Sequence, residues 1–296
     1  MLNKKITIIF SVLALFLCQI LANTTLAAQT SFSLQTESVR RGDVIVAELS
    51  LQELEQTINA MDGYISFDPN FLKVEDVSIG NSIFTLWPRT PVFSNDNGRI
   101  IFTGGIPGGL KNTKGKVLRI VFLAKNTGET SIAVSDESVL YLNDGQGTKL
   151  SPNNIALDLS IAEADENVPT QNNWNEQLVN DKTGPENLIV QLGRDASIFD
   201  GRYFISFFAQ DKETGIDHYE VKEGEKDFAY SESPYILNDQ QLKSKVFVKA
   251  IDKAGNATIV EFKTKVSFYA QPWFAILIAI LVVAGIIWKL KKKKIK

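Results

Sequence analysis

The residues Ile155, Leu157, Leu159 and Ile161 alternate with Ala156, Asp158, Ser160 and Ala162. A period of two sends one set to one face of a strand and the other set to the opposite face, which no amphipathic helix does. Shorter apolar runs lie at 44–49, 64–67, 99–103 and 117–124. Between them stand clusters of turn residues: Asp68-Pro69-Asn70, Asn95-Asp96-Asn97-Gly98, Gly104 to Gly109, Asn126-Thr127-Gly128 and Asn143-Asp144-Gly145. Asn, Asp and Gly suit the backbone conformations that tight turns require. Many short strands punctuated in this way predict an all-β domain, a sandwich or jelly roll, over residues 29–162.

The two ends of the chain have a different composition. Trp273 to Trp288 is an apolar run of 16 residues, followed by Lys289, Lys291, Lys292, Lys293, Lys294 and Lys296. At 1.5 Å per residue it covers about 24 Å, and the stretch 268–288 reaches the roughly 20 residues a bilayer core needs. The expectation is a transmembrane helix at 268–288 with a basic cytoplasmic tail at 289–296, because Lys clusters stay inside. That places the protein in the cell membrane as a single-pass chain, its N-terminal part outside, with the lipid bilayer as one partner. Residues 1–28, with Lys4 and Lys5 before an apolar run from Ile6 to Ala22, read as a secretory signal peptide; an uncleaved N-terminal anchor is the alternative. Cys18 is the one cysteine. Phe16 and Leu17 before it are bulkier than a lipoprotein signal wants, and the outer domains must fold without disulfides.

Eight of the 31 Lys and Arg lie in these end segments, which hold no Asp or Glu, so the stretch between them has 23 basic against 34 acidic residues, a net charge of −11. This acidic balance argues against nucleic acid or an anionic membrane surface as a partner, since both need basic patches.

The run Gly63-Tyr64-Ile65-Ser66-Phe67-Asp68-Pro69-Asn70-Phe71-Leu72-Lys73-Val74 has a strand ending in an aromatic-Asp-Pro turn and resuming with Leu and alternating Val. Later come Gly115 to Phe122, Gly128 to Val134 and Leu142-Asn143-Asp144-Gly145. In these pieces and their order the segment resembles the bacterial cohesin family. The resemblance implies a nine-stranded jelly roll, one sheet face of which docks a dockerin-bearing protein. Any calcium would belong to the dockerin, and no cofactor of this chain is expected. None of the family's motif positions carries partner contacts over to particular residues here.

Several motifs have plainer readings. Asp68-Pro69 suits a type I turn, and Asn95 to Gly98 suits a hairpin turn rather than a calcium loop, which would need Asp at Phe93. Gly104 to Gly109 lacks the Lys-Ser/Thr and helix of a phosphate-binding loop. Arg41-Gly42-Asp43 matches an adhesion tripeptide, but Gly-Asp just before Val44 is also how a strand begins in the family that the segment resembles. Trp87, between Leu86 and Pro88, is the candidate ligand-binding residue: an indole in a Pro-bracketed loop can stack on a sugar. The competing reading packs it over the edge of the core.

Residues 163–182 are rich in Asn, Glu and Gln and read as a linker, with Trp174 as their one large aromatic group. Strand signals return over 183–265 at the spacing of a small sandwich. Two stretches, Asp211 to Val221 and Val248 to Asn256, resemble bacterial Ig-like surface repeats, which implies a spacer. His218 is the one histidine, so neither a His-rich metal site nor a His-based triad can be assembled. The sequence thus predicts an all-β, non-catalytic, membrane-anchored surface protein: a cohesin-like jelly roll, an Ig-like sandwich and one helix. The alternatives are an adhesin that binds carbohydrate, a cell-surface or extracellular polysaccharide, through Trp87, and a structural envelope protein without a specific ligand.

Overall fold

The computed structural model describes residues 28–52, 56–111 and 114–263. The chain divides into two units. One takes in residues up to Pro185 together with Gln210–Ile216 and Asp252–Asn256, and the other Glu186–Ala209, Asp217–Ile251 and the chain from Ala257.

The first unit contains thirteen strands and one helix among the described residues: β1 (Gln29–Leu34), β2 (Val39–Arg40), β3 (Val44–Gln52), β4 (Ile58–Phe67), β5 (Leu72–Ser78), β6 (Leu86–Ser94), β7 (Arg99–Leu110), β8 (Gly115–Ala124), β9 (Gly128–Val134), β10 (Val139–Leu142), β11 (Lys149–Leu150), β12 (Asn153–Ile155), β13 (Leu157–Ala162) and α1 (Asn173–Asn180). A five-stranded sheet runs β12-β1-β3-β8-β5. The second sheet has eight strands. One edge of β4 pairs with β7, which pairs in turn with β6; the other edge is shared by β10 and β9, and β13 and β2 follow β9.

Alternation decides what lies between the sheets. Ile45, Leu49 and Leu51 of β3 and Leu118, Ile120 and Phe122 of β8 meet Met61 and Ile65 of β4 and Ile100 and Phe102 of β7 in one buried cluster. Phe67 stands edge-on to Phe122, ring centroids 5.3 Å apart, a favoured geometry for aromatic quadrupoles. Gly63 is required by this packing, since a Cβ there would stand 2.1 Å from the Phe102 ring.

The turns follow local chemistry. The Asp68 carboxylate accepts from Asn70 N at 2.8 Å and closes the turn between β4 and β5. The Asn95 side chain bonds Val74 N and O at 2.7 and 3.0 Å, while Gly98 takes φ +59° in the β6–β7 hairpin. Gly104 to Gly109 lie within β7, opposite a register shift in β4. Asp43 is fully buried, and its two oxygens accept from Gln171 N and Arg40 N at 2.8 and 2.9 Å. The adhesion tripeptide is thus a strand entry, its carboxylate turned inward.

Within the stretch 163–182 the chain forms α1. Asn172 caps it, its side chain accepting from Asn175 N at 2.8 Å, which satisfies one of the free N–H groups at a helix start. Trp174 is buried against Val46 and Val121, with Val44 and Leu178 beside them.

The remaining strands are β14 (Glu186–Gly193), β15 (Phe204–Gln210), β16 (Ile216–Glu223), β17 (Ala229–Tyr230), β18 (Tyr235–Ile236), β19 (Val246–Asp252) and β20 (Ala257–Phe262), all in the second unit but for their end residues Gln210, Ile216 and Asp252. They form a three-stranded sheet, β14-β15-β18, and a four-stranded sheet, β17-β16-β19-β20. Ile205, Phe207, Val221, Leu237, Val246 and Val248 make its core.

One part of the expected fold class is corrected. Among the described residues no helix is long and apolar enough to cross a membrane. The α-helix found there, α1, has eight residues, about 12 Å of rise against the roughly 20 apolar residues a bilayer core demands. The expected span at 268–288 and tail at 289–296 lie outside the described residues, as does the expected signal peptide up to residue 27. The transmembrane helix is therefore withdrawn from the fold. The single-pass membrane localisation and the bilayer as a partner, both drawn from that helix, are withdrawn with it.

Candidate functional site

The outer faces of the two sheets in the first unit differ. On the five-stranded sheet α1 lies across β3 and β8, so Val46 and Val121 are fully buried although they point away from the main core. Arg119, opposite Glu48 and two residues before Val121, is also buried; its guanidinium sits over the Trp174 ring at 5.7 Å and donates to the Gln177 side chain. Lys116 pairs with Glu48 at 3.8 Å on the same face. Burial, and then the Arg119 charge, pushes the Lys116 amine down to about 8.

On the eight-stranded sheet the register builds a face with no such cover among the described residues. Tyr64 of β4 stands opposite Ile101 of β7, and Ile101 opposite Val92 of β6. The three make an apolar row across three strands, and Val92 is 54% exposed. Arg99 lies over the Tyr64 ring at 5.8 Å and pairs with Glu137 at 2.7 Å. The next row is polar: Asp62 faces Thr103, which faces Arg89. Asp62 accepts from Thr103 Oγ1 and from the Tyr141 hydroxyl, both at 2.7 Å. That hydrogen bond pushes the Tyr141 phenol above the usual tyrosine range. Beyond β4, an open groove of about 700 Å³ is lined by Ser66, Asp68, Glu129, Thr130, Ser131 and Asp158. In chemical terms this face can bind by apolar contact at its centre, by hydroxyls, and by charge at its sides. The groove's lining contains hydroxyls and carboxylates and no histidine.

Trp87 lies on the inner side of β6. It is half-buried against the main core, its ring 6.0 Å from Phe84 and 6.0 Å from Phe102. Packing over the core's edge accounts for this indole, and the structure does not bring it into the groove. His218 lies in the second unit, its Nδ1 2.6 Å from Asp217 and its ring stacked on Tyr230.

One group among the described residues has the composition of a metal site. Asp181, Asp211 and Asp252 are all buried, with carboxylate oxygens within 4.8 Å of one another. Each is engaged by turn donors. Asp181 accepts from Thr214 N and Oγ1 at 3.1 and 2.6 Å, Asp211 from Gly215 N at 2.6 Å, and Asp252 from Asn256 N at 2.8 Å. Burial opposes the Asp181 charge, yet the donors from Thr214 and Thr183 hold its carboxyl below the usual range. Burial, together with the charges of Asp181 and Asp252, pushes Asp211 up despite its Gly215 donor. The sequence offers no signal that brings these acids together, since they are far apart in the chain.

A family of sequences described as "Cohesin domain" matches residues 30–158. A comparison with curated proteins finds no match. Among solved structures, the chain is similar to the cohesin module of a family 33 glycoside hydrolase from Clostridium perfringens, with 9% identity, 47% of this chain and 100% of that chain covered, and a TM-score of 0.40. It is also similar to a non-cellulosomal cohesin from Archaeoglobus fulgidus, with 17% identity, 46% and 92% covered, and a TM-score of 0.37. A third similarity is to a type I cohesin–dockerin complex from Clostridium thermocellum, with 14% identity, 48% and 99% covered, and a TM-score of 0.40. Identities and TM-scores this low leave the assignment resting on the sequence match. On that match, the stretch from residue 30 to residue 158 is a cohesin domain.

Proposed function

We propose that the protein is a non-catalytic binding protein whose cohesin domain docks a dockerin-bearing partner on the outer face of the eight-stranded sheet. The observation that carries this reading is the contrast between the outer faces of the two sheets in the first unit, whose strands lie almost wholly within the residues that match the cohesin family. The five-stranded sheet is closed by Trp174 and Arg119, whereas the eight-stranded sheet presents Tyr64, Ile101 and Val92 to solvent in one row. Interface cores are enriched in aromatic and apolar groups of this kind, with a polar rim around them. The second unit, with its three- and four-stranded sheets about one core, acts in this reading as an Ig-like spacer. Calcium, where binding needs it, belongs to the dockerin.

The test is retention of dockerin modules from a broad panel by the immobilised full chain, with calcium and with chelator. At least one module is expected to be held in calcium, and Ile101→Asp is expected to release it with at least a tenfold loss of affinity, since a charge would be buried unpaired at the centre of the contact. No dockerin held by the correctly folded chain contradicts the reading.

A further inference from the structure

We infer that the partner brings a Lys or Arg side chain into the groove beside β4, so that this groove selects among partners by charge; this rests on the docking reading above. The groove's charged groups are Asp68, Glu129 and Asp158, and no Lys or Arg is among its lining residues. The register explains the clustering. Asp158 of β13 stands opposite Ser131 of β9, and Glu129 opposite Ser160, so acids and hydroxyls share the outward face. The Glu129 carboxylate accepts from Ser160 Oγ at 2.7 Å and Asp68 from Asn70 N at 2.8 Å. None of the three acids has an ion-pair partner among the described residues; the nearby Lys125 ammonium is spent on the Pro69 carbonyl at 2.7 Å.

The occupant is a protein surface because of what adjoins the groove. Tyr64 and Ser66 are both outward residues of β4, so the apolar row begins at the strand that also borders the acids. Neighbouring strands lie about 4.8 Å apart, which puts the partner's basic group roughly 5–10 Å to one side of its apolar anchors. The opposite side of the face, at β6, carries Arg89, exposed and paired in register with Thr103. The acids of β9 and β13 thus lie on one side of the apolar row and Arg89 on the other, while Arg99, opposite Ser66, is paired with Glu137. A partner fits it in the orientation that sets its own basic residue on β9 and β13. Long-range complementarity of this kind steers association and rejects partners of the wrong sign.

The experiment titrates the dockerin held most strongly by the full wild-type chain against that chain and against Glu129→Lys combined with Asp158→Lys, at low and high NaCl. The double variant is expected to bind at least tenfold more weakly at low salt, with its salt dependence flattened, because screening acts on exposed charges beyond a Debye length. Both positions are exposed, so melting should move by no more than about 2 °C. Should the reversal disturb folding, Glu129→Gln with Asp158→Asn replaces it, expected to weaken binding about threefold and to reduce the salt slope. Changing the dockerin's exposed Lys and Arg to Gln should produce the same loss and abolish any further effect of the variants. Equal binding by wild type and variants at both salts overturns the charge inference and leaves docking standing. A wild-type chain that holds no dockerin overturns the docking reading and this inference with it.

Discussion

The outer faces of β3–β8 and of β4–β7 start from similar strands and meet opposite fates. Both pairs alternate, and both send every second residue away from the main core. On β3 and β8 those residues include Val46, Arg119 and Val121, which are buried under α1. On β4 and β7 they are Tyr64, Ser66, Ile101 and Thr103, all partly or fully exposed. Apolar surface on the first face is removed from water by this chain itself, which stabilises the fold. On the second face the same kind of surface is left for another molecule, and its removal from water drives binding. A β-sandwich that closes one of its outer faces has thereby restricted where a partner can sit.

Breaking the cover should cost the most. Trp174→Ala removes a buried indole and exposes Val46, Val121 and the Arg119 guanidinium; a loss of about 3–5 kcal/mol is expected, read from urea unfolding. The matching change on the free face, Tyr64→Ala, should lower stability by less than about 1 kcal/mol while weakening dockerin binding at least tenfold. If the two variants lose equal stability, the contrast between faces fails. Next in size is the cap of α1. Asn172→Ala leaves the Asn175 N–H without its acceptor and should cost about 1 kcal/mol, with Asn172→Asp restoring most of it.

The smallest effects come from the carboxylates that follow α1, and they sharpen the comparison through pH. The folded protein holds Asp181 below its unfolded value, so its contribution is present above the unfolded pKa of about 3.9 and is lost as pH falls through the folded value. Asp211 is held above its unfolded value, so its contribution is fully present below about 3.9 and is lost as pH rises through the folded value. Asp211→Asn, which keeps an oxygen for the Gly215 and Glu213 N–H groups, should therefore raise stability at pH 7 relative to wild type. Asp181→Asn should lower it. Chemical denaturation at pH 4 and pH 7 measures both, and the same sign for both variants would contradict this account of the cluster.

Much of the fold is legible in the sequence because its signals are local. Asp68-Pro69-Asn70 and Asn95 to Gly98 carry their turn chemistry within four residues, and the period of two in β13 needs no tertiary information. The cover was harder to read. Residues 163–182 are mostly polar, yet Trp174 and Leu178 stand four apart on one helical face, and only the packing of that face on Val46 and Val121 distinguishes a strap from a linker. Likewise Arg119 interrupts an apolar run as a surface residue would, and its burial depends on a helix about 55 residues later in the chain. Trp87 has the sequence signature of a loop because Pro88 and Pro91 follow it closely, but β6 is an edge strand, where Pro is tolerated, and strand geometry turns the indole inward. The docking face could not be read from sequence at all, because Tyr64, Ile101 and Val92 are joined only by register.

Hydrogen–deuterium exchange of the full chain, free and saturated with the dockerin it retains, addresses the docking face most directly. The account predicts new protection in β4, β6, β7 and β9, with β3, β8 and α1 unchanged. Protection confined to β3, β8 and α1, with β4 and β7 exchanging as in the free chain, would contradict it.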